Sequence, residues 1–215
     1  MNKLSRRTIL SLTVRTYFIR IFYNYNNLFG EGLCYCIFPF FESCGVTKRD
    51  DILAKHLKTF NTNEYLSGFA VGIILKNSES GNVDLEKTKD ILSSVLGSIG
   101  DRLIYRLIFP VMTLAAVNKF VISGFKPDMC TWTVIIFLII FFNFFNFYIR
   151  YLGISEGFEK GLDALKIFRS SGYKRAVYLL TAARNILTVL LLVELILYLK
   201  ASNILLFFFD QGLKL

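Results

Sequence analysis

Thr131–Ile149 is a run of nineteen residues without a single charge. At 1.5 Å per residue, a helix of that length nearly matches the roughly 30 Å of hydrocarbon in a bilayer. A lipid-crossing segment must satisfy its own backbone, so the run is predicted to be a transmembrane helix. Asn143 and Asn146 lie three apart on it, share a face, and are expected to point at protein instead of lipid. Arg150 closes the span.

The rest of the chain fits the same class. It has 215 residues, 54% hydrophobic, with 22 Phe and a mean hydropathy of +0.50; such values favour a membrane protein over a soluble domain. The net charge of +9, from 25 Lys and Arg against 16 Asp and Glu, would suggest nucleic acid in a soluble chain. Here the cations cluster at the ends of apolar runs, which marks a cytoplasmic membrane face and sets nucleic acid aside. A second span is expected within Ala176–Leu199, whose core Ile186–Leu199 is interrupted by Glu194 and stopped by Lys200. The stretch Leu103–Phe125 is long enough to cross but carries Arg106, Pro110 and Lys119, and reads as a broken or protein-enclosed helix. Tyr65–Leu75 is apolar for only eleven residues and reads as re-entrant or buried. Ile204–Phe209 is too short to cross.

Residues 1–30 carry Lys3, Arg6, Arg7, Arg15 and Arg20 and no acid. Their apolar run Thr8–Val14 is too short for a cleaved signal. An amphipathic helix on the cytoplasmic membrane surface is expected, with Ile9, Leu12, Phe18, Ile19 and Phe22 inward. The basic stretch 150–175 is expected in the cytoplasm, as is the N-terminus, and one later span would put the C-terminus outside. Residues 76–90 read as a polar loop leading into a helix capped by Asp84. Lys48–Lys58 reads as a short soluble helix with a basic face, and His56 as a solvated side chain on it. Fold class follows: an all-α integral membrane protein, with an amphipathic N-terminal helix, re-entrant or broken helical hairpins and two to three transmembrane helices. Its membrane domain spans 1–200, with a short tail at 201–215.

Two polar segments interrupt this apolar chain, HLKTFNTNEYL at 56–66 and LGSIGDRL at 96–103. Polar groups at membrane depth cost several kcal/mol unless satisfied, so these are the first places to seek a function. Asp101 either caps the following helix or binds a hydroxylated ligand, and one carboxylate can do both. Asn61 and Asn63 are ordinary turn residues by default. Arg102 and Arg106 share a helical face and can snorkel to the interface. Gly153, Gly157 and Gly161 recur every four residues, and Gly68 with Gly72 makes a second such pair; both patterns suit close helix packing. The four cysteines, Cys34, Cys36, Cys44 and Cys130, have no zinc spacing and read as small apolar residues. No nucleophile–base or paired-carboxylate arrangement stands out, and no metal or cofactor is expected.

The order of pieces carries a resemblance. HLKTFNTNEYLSGFAVGI is followed by a polar insert, LGSIGDRLIYRLIFP, an Asn-bearing span and RYLGISEGFEKG. This order resembles the IID membrane subunit of the mannose/fructose/sorbose family of the bacterial sugar phosphotransferase system, over roughly residues 10–200. That resemblance implies a non-catalytic subunit in the bacterial cytoplasmic membrane that moves a hexose-type sugar with a IIC subunit, in a trimer of IIC–IID pairs surrounded by lipid. Cytoplasmic IIA and IIB proteins would supply the phosphate. It implies Asn61, Tyr65, Gly100 and Asp101 as the polar lining or its scaffold, and Gly68, Gly72, Gly153, Gly157 and Gly161 as packing residues. The chain departs from the family pattern at Glu64 (usually Pro), Arg102 (Ser), Tyr105 (Trp) and Phe109 (Arg), and it is short after Leu199. These departures support an alternative, a non-transporting interaction or regulatory membrane protein of the same descent. A third reading is an intramembrane enzyme using Asp101 with Arg102 and Arg106. The sugar is not readable from the chain.

Overall fold

The computed structural model describes residues 4–43, 56–80 and 84–201. Most of the expected Lys48–Lys58 helix, Cys44 and the apolar piece Ile204–Phe209 lie outside the described residues. Among the described residues there are helices and turns and no strand. We number the helices α1 (Arg6–Tyr17), α2 (Gly30–Ser43), α3 (Ser67–Ser80), α4 (Leu85–Gly100), α5 (Phe109–Ile122), α6 (Met129–Lys160) and α7 (Ser171–Ala201). A π-helical segment, Asp101–Ile108, joins α4 to α5, so helical backbone runs unbroken from Leu85 to Ile122. Leu85–Ile122, Met129–Arg169 and Ser171–Ala201 are long and apolar enough to cross a membrane. The protein is an all-α, multi-pass membrane protein.

The broken helix expected within Leu103–Phe125 is not found: the helix passes Pro110 without interruption. Proline has no N–H for the carbonyl four residues earlier, and the helix reaches Pro110 through π-type turns that shift its register. Asp84 caps α4 as expected, its carboxylate accepting from the N–H groups of Glu86 and Lys87 at 3.1 and 3.2 Å.

Two compact units follow from the contacts. The first comprises the described residues of Met1–Ile104 and Asn143–Tyr173. α3 is its centre: Phe69, Ala70, Val71, Ile73, Ile74 and Leu75 are all buried, wrapped by α1, α2, α4 and the 3₁₀ turn Gly161–Arg169. Its shortness therefore reflects burial in protein. α1 lays Ile9, Leu12, Thr13 and Thr16 into the same core. That corrects the expectation of a helix resting its apolar face on lipid: Ile9, Leu12 and Ile19 are covered by protein, while Phe18 is exposed.

Glycine sets the closest approach. A Cβ on Gly153 would meet the Phe69 backbone nitrogen at 2.6 Å, and one on Gly72 would meet the Ile154 carbonyl at 2.5 Å. Gly68 lies against the Arg150 carbonyl and Gly157 against Ile73. Gly161 adopts φ 58°, the left-handed conformation just past the end of α6.

The second unit comprises Tyr105–Phe142 and the described part of Lys174–Leu215. α5 and α7 run parallel in it. Arg184 Nη1 donates to the Arg106 carbonyl (3.3 Å), Asn118 Nδ2 to the Leu187 carbonyl (3.1 Å), and Phe125 meets Tyr198 with ring centroids 4.7 Å apart. The turn into α6 is capped by Asp128, which accepts from the Thr131 N–H at 2.7 Å. No side chain of α7 is buried.

Candidate functional site

The first unit brings the two polar segments together. Asn63 ends its loop in extended conformation, and its Oδ1 accepts the Tyr65 N–H at 3.1 Å, capping the short turn Glu64–Leu66. The other end of the same amide donates to Asp101 Oδ1 at 2.9 Å. Gly100 makes this possible, because any Cβ there would fall on the Asn63 side chain. The Asp101 side chain does not cap the start of the following helix: the residue sits inside the continuous Leu85–Ile122 helix, where its own N–H is already bonded to the Gly97 and Ser98 carbonyls. Its carboxylate is free to hold Asn63 instead. Asn61 is exposed and stands outside this group.

Beside that pair lies a buried cation. Arg150 is 3% exposed, although the sequence suggested only the end of a span. Its Nε donates to Asn146 Oδ1 (2.7 Å), and its Nη1 to the Thr16 carbonyl (2.5 Å) and Ser67 Oγ (3.0 Å). The guanidinium lies 4.7 Å from the Tyr17 ring centroid and 5.8 Å from that of Tyr65. Neutral acceptors and aromatic faces therefore hold the charge, an arrangement suited to a planar guanidinium. Ser67 Oγ also donates to the Glu64 carbonyl at 2.7 Å, and the Glu64 carboxylate pairs with Arg20 at 2.6 Å. Burial, reinforced by Glu64, pushes the Tyr65 hydroxyl above its ordinary pKa, keeping it a neutral donor.

Asn146 points inward to Arg150, but Asn143 is exposed, so the shared-face expectation holds for only one of them. His56 is likewise not solvated. It is 1% exposed, with Nδ1 buried and without a hydrogen-bond partner among the described residues. Lys89 is also buried, and its ammonium donates to the His56 and Lys58 carbonyls at 3.0 and 3.1 Å. Burial first, and Lys89 second, lowers the His56 pKa to about 4. Lys58, in turn, pairs with Glu86 at the start of α4.

Sequence reasoning singled out Gly100, Asp101 and Tyr65, and the structure puts them in one neighbourhood. It missed Asn63, Arg150 and Ser67. The available signal was Arg150 with Asn146 four residues before it, one helical turn apart at the end of an apolar run. The departures also have definite places. Glu64 is paired with Arg20, Arg102 is exposed, and Phe109 packs between Tyr105 (5.6 Å) and Phe142 (5.0 Å). Among the described residues, no cluster of His, Cys, Asp and Glu could hold a metal ion.

Comparison with known proteins agrees with this architecture. The fructose permease IID component of Bacillus subtilis (strain 168) is 24% identical over 173 residues, which cover 76% of this chain and 60% of that protein. The chain thus spans about three-fifths of that relative's length. A chain in the cryo-EM structure of the mannose transporter ManYZ with microcin E492 superposes with a TM-score of 0.63 at 20% identity, covering 91% of this chain and 70% of that one. A second solved structure, described only as a membrane protein, gives 0.71 at 18% identity, covering 87% and 70%. The family profile of the PTS mannose/fructose/sorbose IID component matches residues 3–204, almost all of the sequence, and the chain belongs to that family.

Proposed function

We propose that this chain is the IID-type subunit of a sugar permease in the bacterial cytoplasmic membrane, working with a IIC subunit to translocate a hexose-type sugar. Cytoplasmic IIA and IIB proteins supply the phosphate, the IIC–IID pairs assemble as a trimer, and the N-terminus faces the cytoplasm. The observation that carries this reading is the convergence of the family's motif segments: Asn63 from one and Asp101 from another are joined at 2.9 Å. Gly100 and Asp101, with Tyr65, scaffold the polar lining, and Asn61 stands exposed where a ligand or partner can meet it. Glycines 68, 72, 153 and 157 keep α3 and α6 close enough to hold Arg150 beneath Tyr65, and Gly161 ends α6. In this role the chain's residues orient and enclose, and the phosphate chemistry belongs to other proteins.

The test is phosphoenolpyruvate-dependent sugar uptake in a strain lacking other such permeases, with the cognate IIC, IIA and IIB present. Deletion of this chain is expected to abolish uptake, and Asp101→Ala to reduce it at least tenfold (about 1.4 kcal/mol or more). Unchanged uptake on deletion would favour the non-transporting alternative, which Glu64, Arg102 and Phe109 motivate.

A further inference from the structure

We propose that Arg20 and Glu64 are positioning residues: their ion pair latches the short turn that carries Tyr65 to the N-terminal segment of the first unit. That turn, Glu64–Leu66, is three residues of 3₁₀ helix, with the Leu66 N–H on the Asn63 carbonyl at 3.1 Å. So short a helix has little stability of its own and depends on ties from outside. One tie runs from Asn63 to Asp101. A second runs from Ser67 through Arg150 to the Thr16 carbonyl of α1. Both act on the residues that flank the turn.

The third tie acts on the turn itself. Glu64 Oε1 accepts from Arg20 Nη1 at 2.6 Å, and the two side chains are 12% and 69% exposed. A nearly covered carboxylate is costly without its counter-charge, so Glu64 stays where Arg20 is. The core places Arg20 in turn. It lies in the 3₁₀ turn Ile19–Phe22, whose Ile19 is fully buried, and α2 packs so closely there that a Cβ on Gly32 would fall on the Ile19 carbonyl. A fixed cation thus holds a covered anion one residue before Tyr65. Because the Arg20 half is exposed, the latch weakens as salt rises. The backbone also names a substitute for the ion pair. Asn63, at φ −76° and ψ 126°, is extended, as the residue before a proline must be, and position 64 opens the turn, where proline's fixed φ fits. Proline at 64 stiffens the turn without any charge.

The test measures hydrogen exchange at the Tyr65 and Leu66 amides of the full chain in nanodiscs, with any membrane chain that co-purifies. R20Q and E64Q should each speed that exchange about tenfold, with the denaturant midpoint of the whole chain unmoved. R20Q/E64Q should do no more than either single variant. E64P should exchange as slowly as wild type, and adding R20Q to it should change nothing. Raised salt should speed exchange in wild type and not in E64P. Uptake gives a second readout, which rests on the permease reading above: R20Q should raise the KM for sugar about fivefold, with Vmax within about twofold. Arg20 is mostly exposed, so R20Q keeps the core intact even where E64Q does not fold. Unchanged exchange in R20Q would overturn the proposal, as would multiplying effects in the double variant, a fallen denaturant midpoint in R20Q, or an R20Q effect that persists in E64P. If wild type takes up no sugar, the permease reading falls, and the exchange rates alone decide whether the latch exists.

Discussion

The two units handle the same apolar alphabet in opposite ways. In the first, Ile74 is fully buried, and the unit also encloses Arg150, Lys89, His56 and Asn63. In the second, Ile196 is 58% exposed, α7 buries no side chain, and the few polar links join backbone carbonyls across helices. A side chain facing hydrocarbon gains nothing from protein cover, whereas a buried polar group must find every partner inside the chain. The first unit is therefore where substitutions should be felt, and the second is a framework whose outer surface tolerates exchange among apolar residues.

The sharpest break in that comparison is Arg150→Leu. It leaves the Thr16 carbonyl, Ser67 Oγ and Asn146 Oδ1 without their donor, and should cost about 4 kcal/mol in denaturant titrations of the detergent-solubilised protein. Next comes a matched pair of truncations: Ile74→Ala should cost about 3 kcal/mol, Ile196→Ala less than about 0.5 kcal/mol. Equal costs would erase the distinction between the units. His56 gives a pH signature. Its pKa falls from the ordinary 6.5 to about 4, so the folded state favours the neutral ring. That contribution is complete above about pH 6.5, declines as pH falls, and is gone below about pH 4. It is worth about 2–3 kcal/mol, and His56→Gln should flatten the profile. Gly100→Ala should cost about 1–2 kcal/mol in the same titrations, since the new Cβ displaces Asn63.

Much of this contrast was legible in the sequence. The charge-free run Thr131–Ile149 marked one span, and Asp84 followed by Leu85-Glu86-Lys87 gave a cap, because each depends on local chemistry; the break expected within Leu103–Phe125 did not appear, because π-type turns carry the helix past Pro110. What escaped depended on which surfaces meet. His56 sits near two lysines in sequence, and only the fold shows that Lys89 turns inward and closes over its loop. Asn143 and Asn146 look equivalent by spacing, but only the second reaches Arg150. Asn63 and Asp101 are 38 residues apart, and no local pattern pairs them. The N-terminal helix looked membrane-bound because amphipathicity does not say whether the apolar face meets lipid or protein.

The central claim is that Asn63 and Asp101 act as one polar centre for sugar passage. A double-mutant cycle in phosphoenolpyruvate-dependent uptake tests it most directly, with Asn63→Ala, Asp101→Ala and both together, each normalised to the amount of chain in the membrane. The account predicts strong loss in each single variant and almost no further loss in the double. Independent, multiplying losses, or full uptake in either single variant, would contradict it.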